Sequence, residues 1–373
     1  MIMQTTATAR KNAPLGLPGD VSTLLGRYDL TLSGLLTDSN PKLTKGGGRA
    51  VILHHMPADA LARALDSDNG GPVAARNYLP EVAALAARNG MITAGLKHNG
   101  CPWKTPACSK DCLAFSGQGG LGTVPAEARS RRTLAMIADP VAYGRAVLWA
   151  IAWHHRRAAD EGERLAVRLR GTDEGPPMGW HRLRLPITAS ESMQLARRFG
   201  LSVPVAGGPR DPDGGATLAD LAGHLATFYD YSKAPLRGPL GLEAQRAAGW
   251  DLTASMAPDA PDAARRVIDA ARAGFRVAVP VALKKGQPIP ELITLKAKDR
   301  QPLTLATIDG DAHDHRYREP GGVAVILRQK RSRGGQGHGS PFFLNAPDAP
   351  RPNQRMFTDL PDGVASLYFD LSP

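Results

Sequence analysis

The chain has 373 residues, 42% of them hydrophobic, which is enough to bury the core of one large domain or two ordinary ones. A formal net charge of +11 and a pI near 9.8 favour polyanionic partners, so a nucleotide or nucleic acid is an expected partner. No membrane-span-length apolar stretch and no signal-peptide core are present, and three cysteines in one loop do not fit a secreted disulfide framework. We therefore expect a cytoplasmic protein with no membrane partner.

The first 90 residues predict an N-terminal extension with accessory helices. Residues 1–40 are rich in Gly, Ser, Thr and Pro and lack periodicity, which is typical of an arm or a loosely packed extension. A short apolar run predicts a strand over 50–54, and helices are predicted over 59–65 and 79–88.

Residues 91–373 predict an α/β catalytic domain with a C-terminal β-type segment. Strands are predicted over 91–96, 165–169, 227–231, 250–255, 275–281, 303–308 and 322–327, and helices over 125–138, 139–159, 218–225 and 262–273. Strands that alternate with helices through short loops form parallel sheets with right-handed crossovers. The pattern favours a full or partial (β/α) barrel, with an open doubly wound sheet as the alternative.

Polar residues follow four of the predicted strands, at the ends that converge on one pocket in a barrel. They are Thr172, Asp173 and Glu174, then Lys233, then Ser255, then Asp309 and Asp311. A carboxylate pair such as Asp309 and Asp311 can bind a divalent metal or act as a base. Lys233 can contact an anionic group, or act as a base if desolvated. We predict Lys233, Asp309 and Asp311 as catalytic candidates, against the alternative of solvated loop residues.

The three cysteines Cys101, Cys108 and Cys112 follow the pattern C-x6-C-x3-C in a loop with two prolines. Thiolates this close can bind one inorganic centre if the loop is tightly turned, and neighbouring lysines favour thiolates over thiols. A 4Fe–4S cluster held by three cysteines leaves one iron open for a ligand. Zinc would need a fourth ligand, such as His98. The spacing favours the cluster, with zinc and three ordinary cysteines as alternatives.

A basic, glycine-rich segment covers residues 328–338. Its cations Arg328, Lys330, Arg331 and Arg333 are typical of loops that contact a phosphate backbone without reading its sequence. The alternative is a solvated loop.

Four motifs together resemble the "gene product 88" proteins of bacteriophages. They are Asn-Gly-Cys-Pro at 99–102 with the two later cysteines, Arg-Leu-Arg-Gly-Thr-Asp at 168–173, Phe-Tyr-Asp-Tyr-Ser-Lys at 228–233 and Ile-Asp-Gly-Asp at 308–311. The resemblance covers residues 90–330 and implies a phage origin, hence the host cell cytoplasm, but no activity. Leu113 and Thr172 depart from the Tyr and Ser expected at these positions.

A looser resemblance is to radical S-adenosylmethionine enzymes, in which a partial β/α barrel carries three cysteines after its first strand. It implies that the three cysteines hold a 4Fe–4S cluster and that strand-end residues bind S-adenosylmethionine. The matching strand-end residues are Thr172, Asp173, Glu174 and Ser255. The spacing departs from the usual C-x3-C-x2-C of that superfamily.

Three hypotheses follow. The first is a phage-type enzyme similar to radical S-adenosylmethionine enzymes that modifies a nucleotide or DNA base, with Lys233, Asp309 and Asp311 acting on the substrate. The second is a zinc-containing barrel enzyme of the base-transglycosylase type, with Asp309 or Asp173 as nucleophile. The third is a basic nucleic-acid-binding protein with a structural metal site and no catalytic activity.

Overall fold

The computed structural model describes residues 16–38, 43, 47–57, 61, 80–89, 100–110, 123–176, 178–200, 215–283, 287–328, 344 and 366–370. These residues form a mixed α/β structure around a curled half-barrel sheet of mostly parallel strands. This architecture agrees with the partial β/α barrel that the alternation of strands and helices predicts.

Nine strands form the sheet. They are β1 (Arg49–Ile52), β2 (Leu165–Arg168), β3 (Ala226–Ser232), β4 (Asp251–Ser255), β5 (Arg276–Val281), β6 (Leu292–Ala297), β7 (Arg300–Asp309), β8 (Ala324–Arg328) and β9 (Ser366–Asp370). Their order is β1-β2-β3-β4-β5-β8-β7-β6-β9, and of the adjacent pairs only β6 with β7 is antiparallel. The carboxyl ends of β1 to β5, β7 and β8 therefore share one edge of the sheet.

The described helices are α1 (Gly19–Arg27), α2 (Pro80–Arg88), α3 (Pro106–Lys110), α4 (Thr123–Ala138), α5 (Pro140–Asp160), α6 (Ala189–Phe199), α7 (Leu218–Ala222), α8 (Leu242–Ala247) and α9 (Ala263–Arg272). The longest, α5, begins where sequence reasoning places it, because Asp139 accepts a hydrogen bond from the Ala142 amide at 2.9 Å. Its central residues, Trp149 among them, are fully buried in the core against β2 and neighbouring helices. Within the described residues, no helix is both long and apolar enough to cross a membrane.

The loosely packed arm expected over residues 1–40 is not confirmed where the structure describes it. Helix α1 places Val21, Leu24 and Leu25 in the main core, with at most 5% of each exposed. Strand β1 then pairs in parallel with β2, with Ile52 opposite Arg168. The described residues between 16 and 57 therefore belong to the same sheet and core as the later elements, because an amphipathic helix needs an apolar partner surface.

The sheet opens between β2 and β3 at the edge where the strands end. Their pairing runs only to Val167 opposite Phe228. Beyond it, the buried carboxylate of Asp230 accepts hydrogen bonds from the amides of Leu169 at 3.0 Å and Arg170 at 3.1 Å. A side chain has taken the place of a neighbouring strand's carbonyls, which satisfies these amides while the chain of β2 turns away.

The segment 310–323, which connects β7 to β8, covers the face of the sheet opposite the helices. Its Arg316 is fully buried and donates to the carbonyls of Gly310 and His313 and to the carboxylate of Glu319. Tyr317 packs beside Tyr229 of β3 at a ring-centroid distance of 5.2 Å. This crossover therefore fills the half-barrel with hydrogen-bonded polar groups instead of a helix.

Several elements of this fold were not predicted from the sequence. Residues 303–308 lie in the longer strand β7, which forms a hairpin with β6, a strand that the apolar pattern did not predict. Helix α6, capped by the Thr188 hydroxyl, was also not predicted. The predicted strand 91–96 lies outside the described residues, as does the predicted helix 59–65 apart from residue 61.

Candidate functional site

The cysteine loop lies at the carboxyl ends of β3 and β4. Cys101 and Cys108 are both half-buried, and Cys108 is on the short helix α3. At the start of the loop, the Gly100 carbonyl accepts a hydrogen bond from the Glu174 amide at 2.6 Å. Cys112 lies outside the described residues, so two of the three predicted metal ligands can be placed.

Asp259, four residues after β4, fastens the loop to the sheet. Its carboxylate accepts a hydrogen bond from the Thr105 hydroxyl at 2.6 Å and another from the Ala107 amide at 2.9 Å. The Thr105 oxygen in turn accepts from the Cys108 amide at 3.1 Å. Three consecutive bonds therefore fix the backbone that carries Cys108. Sequence analysis did not identify Asp259, because its partner residues are about 150 positions away in the chain.

Lys233, the residue after β3, points its ammonium group at the cysteines. It forms a side-chain hydrogen bond with Cys108 and lies within electrostatic range of Glu174 and Cys101. Burial lowers the pKa of Lys233, but Cys108, Glu174 and Cys101 raise it by more, so the net pKa is above the ordinary value. A half-buried lysine that stays charged is a suitable counter-ion for neighbouring thiolates.

Glu174 connects this lysine to the neighbouring strand. Its carboxylate accepts hydrogen bonds from the Ser232 hydroxyl at 3.0 Å, the Lys233 amide at 3.1 Å and an Arg170 nitrogen at 3.4 Å. Glu174 therefore links the Arg170 side chain to the end of β3. Sequence analysis predicted instead a direct contact between Glu174 and a cofactor.

A pocket, here called the lysine pocket, opens beside these groups. Its polar lining residues are Ser232, Lys233, Ser255 and Arg266. Trp103 of the cysteine loop and Met256 are among its apolar lining residues. The predicted site residues Lys233 and Ser255 thus meet at one cavity next to Cys108, as expected from their places at adjacent strand ends.

Thr172 and Asp173 do not line the lysine pocket. The Asp173 carboxylate lies 3.2 Å from Nδ1 of His55, and Nε2 of His55 lies 3.0 Å from the Tyr143 hydroxyl. Thr172 bonds the backbone of His55 at the end of β1, accepting from its amide at 3.1 Å. His55 is fully buried, so this cluster joins the ends of β1 and β2 to α5. Burial raises the pKa of Tyr143, which keeps its hydroxyl protonated.

Asp309 and Asp311 lie elsewhere on the same edge of the sheet. Oδ1 of Asp309 accepts from Arg328 at 2.6 Å and from the Asp311 amide at 2.8 Å, and Oδ2 of Asp311 is 3.7 Å from Arg328. Strands β5 and β8 lie between β7 and β4, so the three predicted catalytic residues divide into Lys233 at the cysteine loop and an aspartate pair around Arg328.

Arg328 donates in addition to the Gln287 carbonyl at 3.0 Å. Its guanidinium is therefore engaged by carboxylates and backbone, which leaves less of its charge for the predicted nucleic-acid contact. The other cations predicted for that contact, Lys330, Arg331 and Arg333, lie outside the described residues.

A second pocket, here called the arginine pocket, also borders the cysteine loop. Trp103 and Glu174 line it together with Arg170, His181 and Gln245. Arg170 donates to the Gln245 side-chain oxygen at 2.5 Å, and Nε2 of His181 lies 3.0 Å from the Pro239 carbonyl. Burial lowers the pKa of His181, against the opposing effect of its bond to Pro239, so the ring is neutral near pH 7.

The donor set at the cysteine loop suits a soft metal centre. Cys101 and Cys108 carry sulfur atoms, and thiolate ligands select zinc or iron–sulfur clusters over magnesium or calcium. Among the residues that the structure describes, no cluster of three or more His, Cys, Asp or Glu side chains is arranged to hold a metal ion. The third cysteine of the motif lies beyond them, so the described part of the loop contains two of the three predicted ligands and does not define the geometry of a centre.

Comparison of the chain with protein-family models, with curated proteins and with solved structures finds no match.

Proposed function

We propose that the chain is a phage-type iron–sulfur enzyme, similar to radical S-adenosylmethionine enzymes, that modifies a nucleotide or a DNA base. The observation that carries this proposal is the position of Cys101 and Cys108 at the carboxyl ends of parallel strands, beside the half-buried Lys233 and a pocket. Metal-binding cysteines at this edge of a half-barrel are placed where β/α barrels do their chemistry. A purely structural metal clip has no need of a pocket beside it.

Cys101, Cys108 and Cys112 are the proposed cluster ligands. A cluster held by three cysteines would keep one iron open for S-adenosylmethionine and would supply the chemistry for its reductive cleavage, with the electron coming from an external reductant. Lys233 compensates the negative charge of the thiolates, because its ammonium contacts Cys108 directly. Asp259 keeps Cys108 in place through Thr105 and the α3 backbone.

The lysine pocket is the proposed site for S-adenosylmethionine. Lys233 and Arg266 are cations suited to the carboxylate of the ligand, and Ser255 offers a hydroxyl. Trp103 and Met256 provide apolar surface for its adenine. The resemblance assigns three further residues to the cofactor, Thr172, Asp173 and Glu174. In this proposal they do not contact it: Thr172 and Asp173 bond His55 at the strand ends, and Glu174 bonds the Lys233 amide in the pocket wall.

A substrate of nucleotide type agrees with the net charge of +11. Asp309 and Asp311 remain the proposed substrate-side residues, at the same edge of the sheet but paired with Arg328. In the zinc alternative, the same cysteines hold zinc in a base-transglycosylase type of barrel enzyme.

Metal and sulfide analysis of protein purified without oxygen tests the proposal. We expect about four iron ions and four sulfide ions per chain, and broad absorbance at about 400 nm, as in 4Fe–4S proteins. Cys101→Ser, Cys108→Ser and Cys112→Ser should each lose most of both, whereas Ser109→Ala, between two of the ligands, should keep them.

The alternatives give different results in the same assay. Stoichiometric zinc without sulfide would replace the proposal with the zinc-containing barrel enzyme. Absence of both metals from wild-type protein would refute the proposal, the zinc-containing enzyme and the structural metal site of the nucleic-acid-binding alternative. With iron present, formation of 5′-deoxyadenosine from S-adenosylmethionine and a reductant is the expected activity, and Lys233→Met should weaken binding of S-adenosylmethionine.

A further inference from the structure

The arginine pocket shares Trp103 with the lysine pocket but differs from it in chemistry. Two of its buried side chains, Arg170 and His181, are 4% and 6% exposed. Such side chains are normally fully hydrogen-bonded, because an unmade bond in the interior costs the desolvation of the polar atom. Both of them nevertheless retain one nitrogen that no described residue contacts by a hydrogen bond.

In His181 that nitrogen is Nδ1, and its state can be assigned. Nε2 lies 3.0 Å from the Pro239 carbonyl, which can only accept, so Nε2 carries the hydrogen. The ring is neutral, since burial lowers its pKa. Nδ1 is therefore a hydrogen-bond acceptor. Gly179 has a φ of +77° and passes so close that a Cβ there would stand 2.9 Å from Nδ1.

In Arg170 the nitrogen is Nε, which is a donor. The rest of its guanidinium is held in place, by Gln245 at 2.5 Å, by Glu174 at 3.4 Å and by the ring of Trp250, 5.4 Å from Cζ. Arg170 is close enough to His181 to lower its pKa. One small pocket thus combines a fixed donor and a fixed acceptor with the half-buried indole of Trp103.

We infer that the arginine pocket binds a nucleobase, stacked on Trp103, which donates an N–H to Nδ1 of His181 and accepts a hydrogen bond from Nε of Arg170. Each of the common bases carries a donor next to an acceptor on its pairing edge, and each has a flat face that stacks on aromatic side chains. The assignment of this base as the substrate rests on the proposed function, whereas the binding itself does not.

Nucleoside binding by the full-length protein, purified without oxygen, tests the inference. Uridine, thymidine, guanosine, adenosine and cytidine are each titrated by calorimetry. His181→Gln is the main variant, because its amide nitrogen can still donate to the Pro239 carbonyl while the Nδ1 acceptor is removed. We expect the best-bound nucleoside to lose about 5- to 10-fold in affinity, the equivalent of one hydrogen bond.

Trp103→Leu is the second variant and should weaken the same nucleoside by at least about 5-fold through loss of stacking. The matched control is His155→Gln on α5, whose histidine bonds the Leu225 carbonyl at 2.8 Å and does not line the pocket. It should bind as the wild type does. Thermal melting of each variant identifies any that fails to fold. If one of the two pocket variants does not fold, the nucleoside affinity of the other one tests the inference.

The outcomes separate this inference from the proposed function. Unchanged affinity in both pocket variants, or absence of nucleoside binding in protein that contains iron and sulfide, would overturn the inference and leave the iron–sulfur assignment intact. Binding that depends on His181 in protein without iron would support the inference and refute the proposed function.

Discussion

Removal of the Asp259 carboxylate should release the cysteine loop without unfolding the protein. In Asp259→Ala, the Thr105 hydroxyl and the Ala107 amide both lose their acceptor. Hydrogen bonds to a charged group contribute about 1.5–3 kcal/mol each, less where solvent can replace the partner. Both bonds are only partly buried, so about 2–4 kcal/mol of local stability should be lost.

Amide hydrogen exchange over residues 105–108 measures this local stability. At 1.4 kcal/mol per tenfold change, the loss corresponds to exchange faster by about 30- to 1000-fold at Ala107 and Cys108. Exchange in β4 and β5 should change far less, since their ladder does not depend on the loop. Asp262→Ala is the matched control, because that carboxylate is three residues away and bonds the partly exposed Arg266 at 2.8 Å.

The reasoning fails if exchange over residues 105–108 is the same in Asp259→Ala and in the wild type. It fails also if Asp262→Ala accelerates exchange there to the same extent, because the effect would then follow from any lost carboxylate in this region. Iron content provides a second measurement, and the variant should retain less iron than the control.

Two further predictions concern buried charges on the sheet. Burial raises the pKa of Asp230 to about 7, although Arg170, Arg168 and two amides act in the opposite direction. Protonation of Asp230 therefore stabilises the folded state. This stabilisation is complete below about pH 4 and is lost above about pH 7. As the pH rises between these values, the free energy of unfolding of the wild type should fall by on the order of 2–4 kcal/mol relative to that of Asp230→Asn. Urea titrations at several pH values measure both free energies, and parallel pH profiles of the two proteins would contradict the prediction. Arg316→Met should lower the free energy of unfolding by about 3–5 kcal/mol, because Glu319 and two carbonyls lose their buried donor. The control Arg318→Met, at an exposed position, should change the urea midpoint little. Equal effects of the two substitutions would show that burial of the guanidinium does not matter.

Local patterns in the sequence were sufficient to predict most of the parallel strands. The strands after residue 160 are short apolar runs bounded by turn residues, and Asp139 before Pro140 marks the start of α5. The β6–β7 hairpin was missed although β6 alternates apolar and polar residues from Ile293 to Ala297, which is a strand pattern. Strand pairing is set by contacts between distant residues, so the insertion of β8 between β5 and β7 has no local signature.

The candidate site divides in the same way. Lys233 and Ser255 were predicted because each stands where a strand ends, and the structure places both at the lysine pocket. The roles of Asp259 and His55 could not be predicted, since each depends on a partner more than 100 positions away. Asp173 was predicted as a cofactor residue from its strand end and from the resemblance. The direction of its side chain toward His55 depends on packing between β1 and β2, which has no local signature.

Strand β8 has a further consequence for how the protein is made. In the described part of the sheet, the hairpin of β6 and β7 is hydrogen-bonded to the five preceding parallel strands through β8, because β8 pairs with β5 on one side and β7 on the other. Yet β8 is synthesised after both of its neighbours. During translation the edge of β5 and the edge of β7 therefore stay unpaired until residue 328 leaves the ribosome. A nascent chain stopped before β8 should for that reason depend on chaperones, while one released shortly after it can close its sheet.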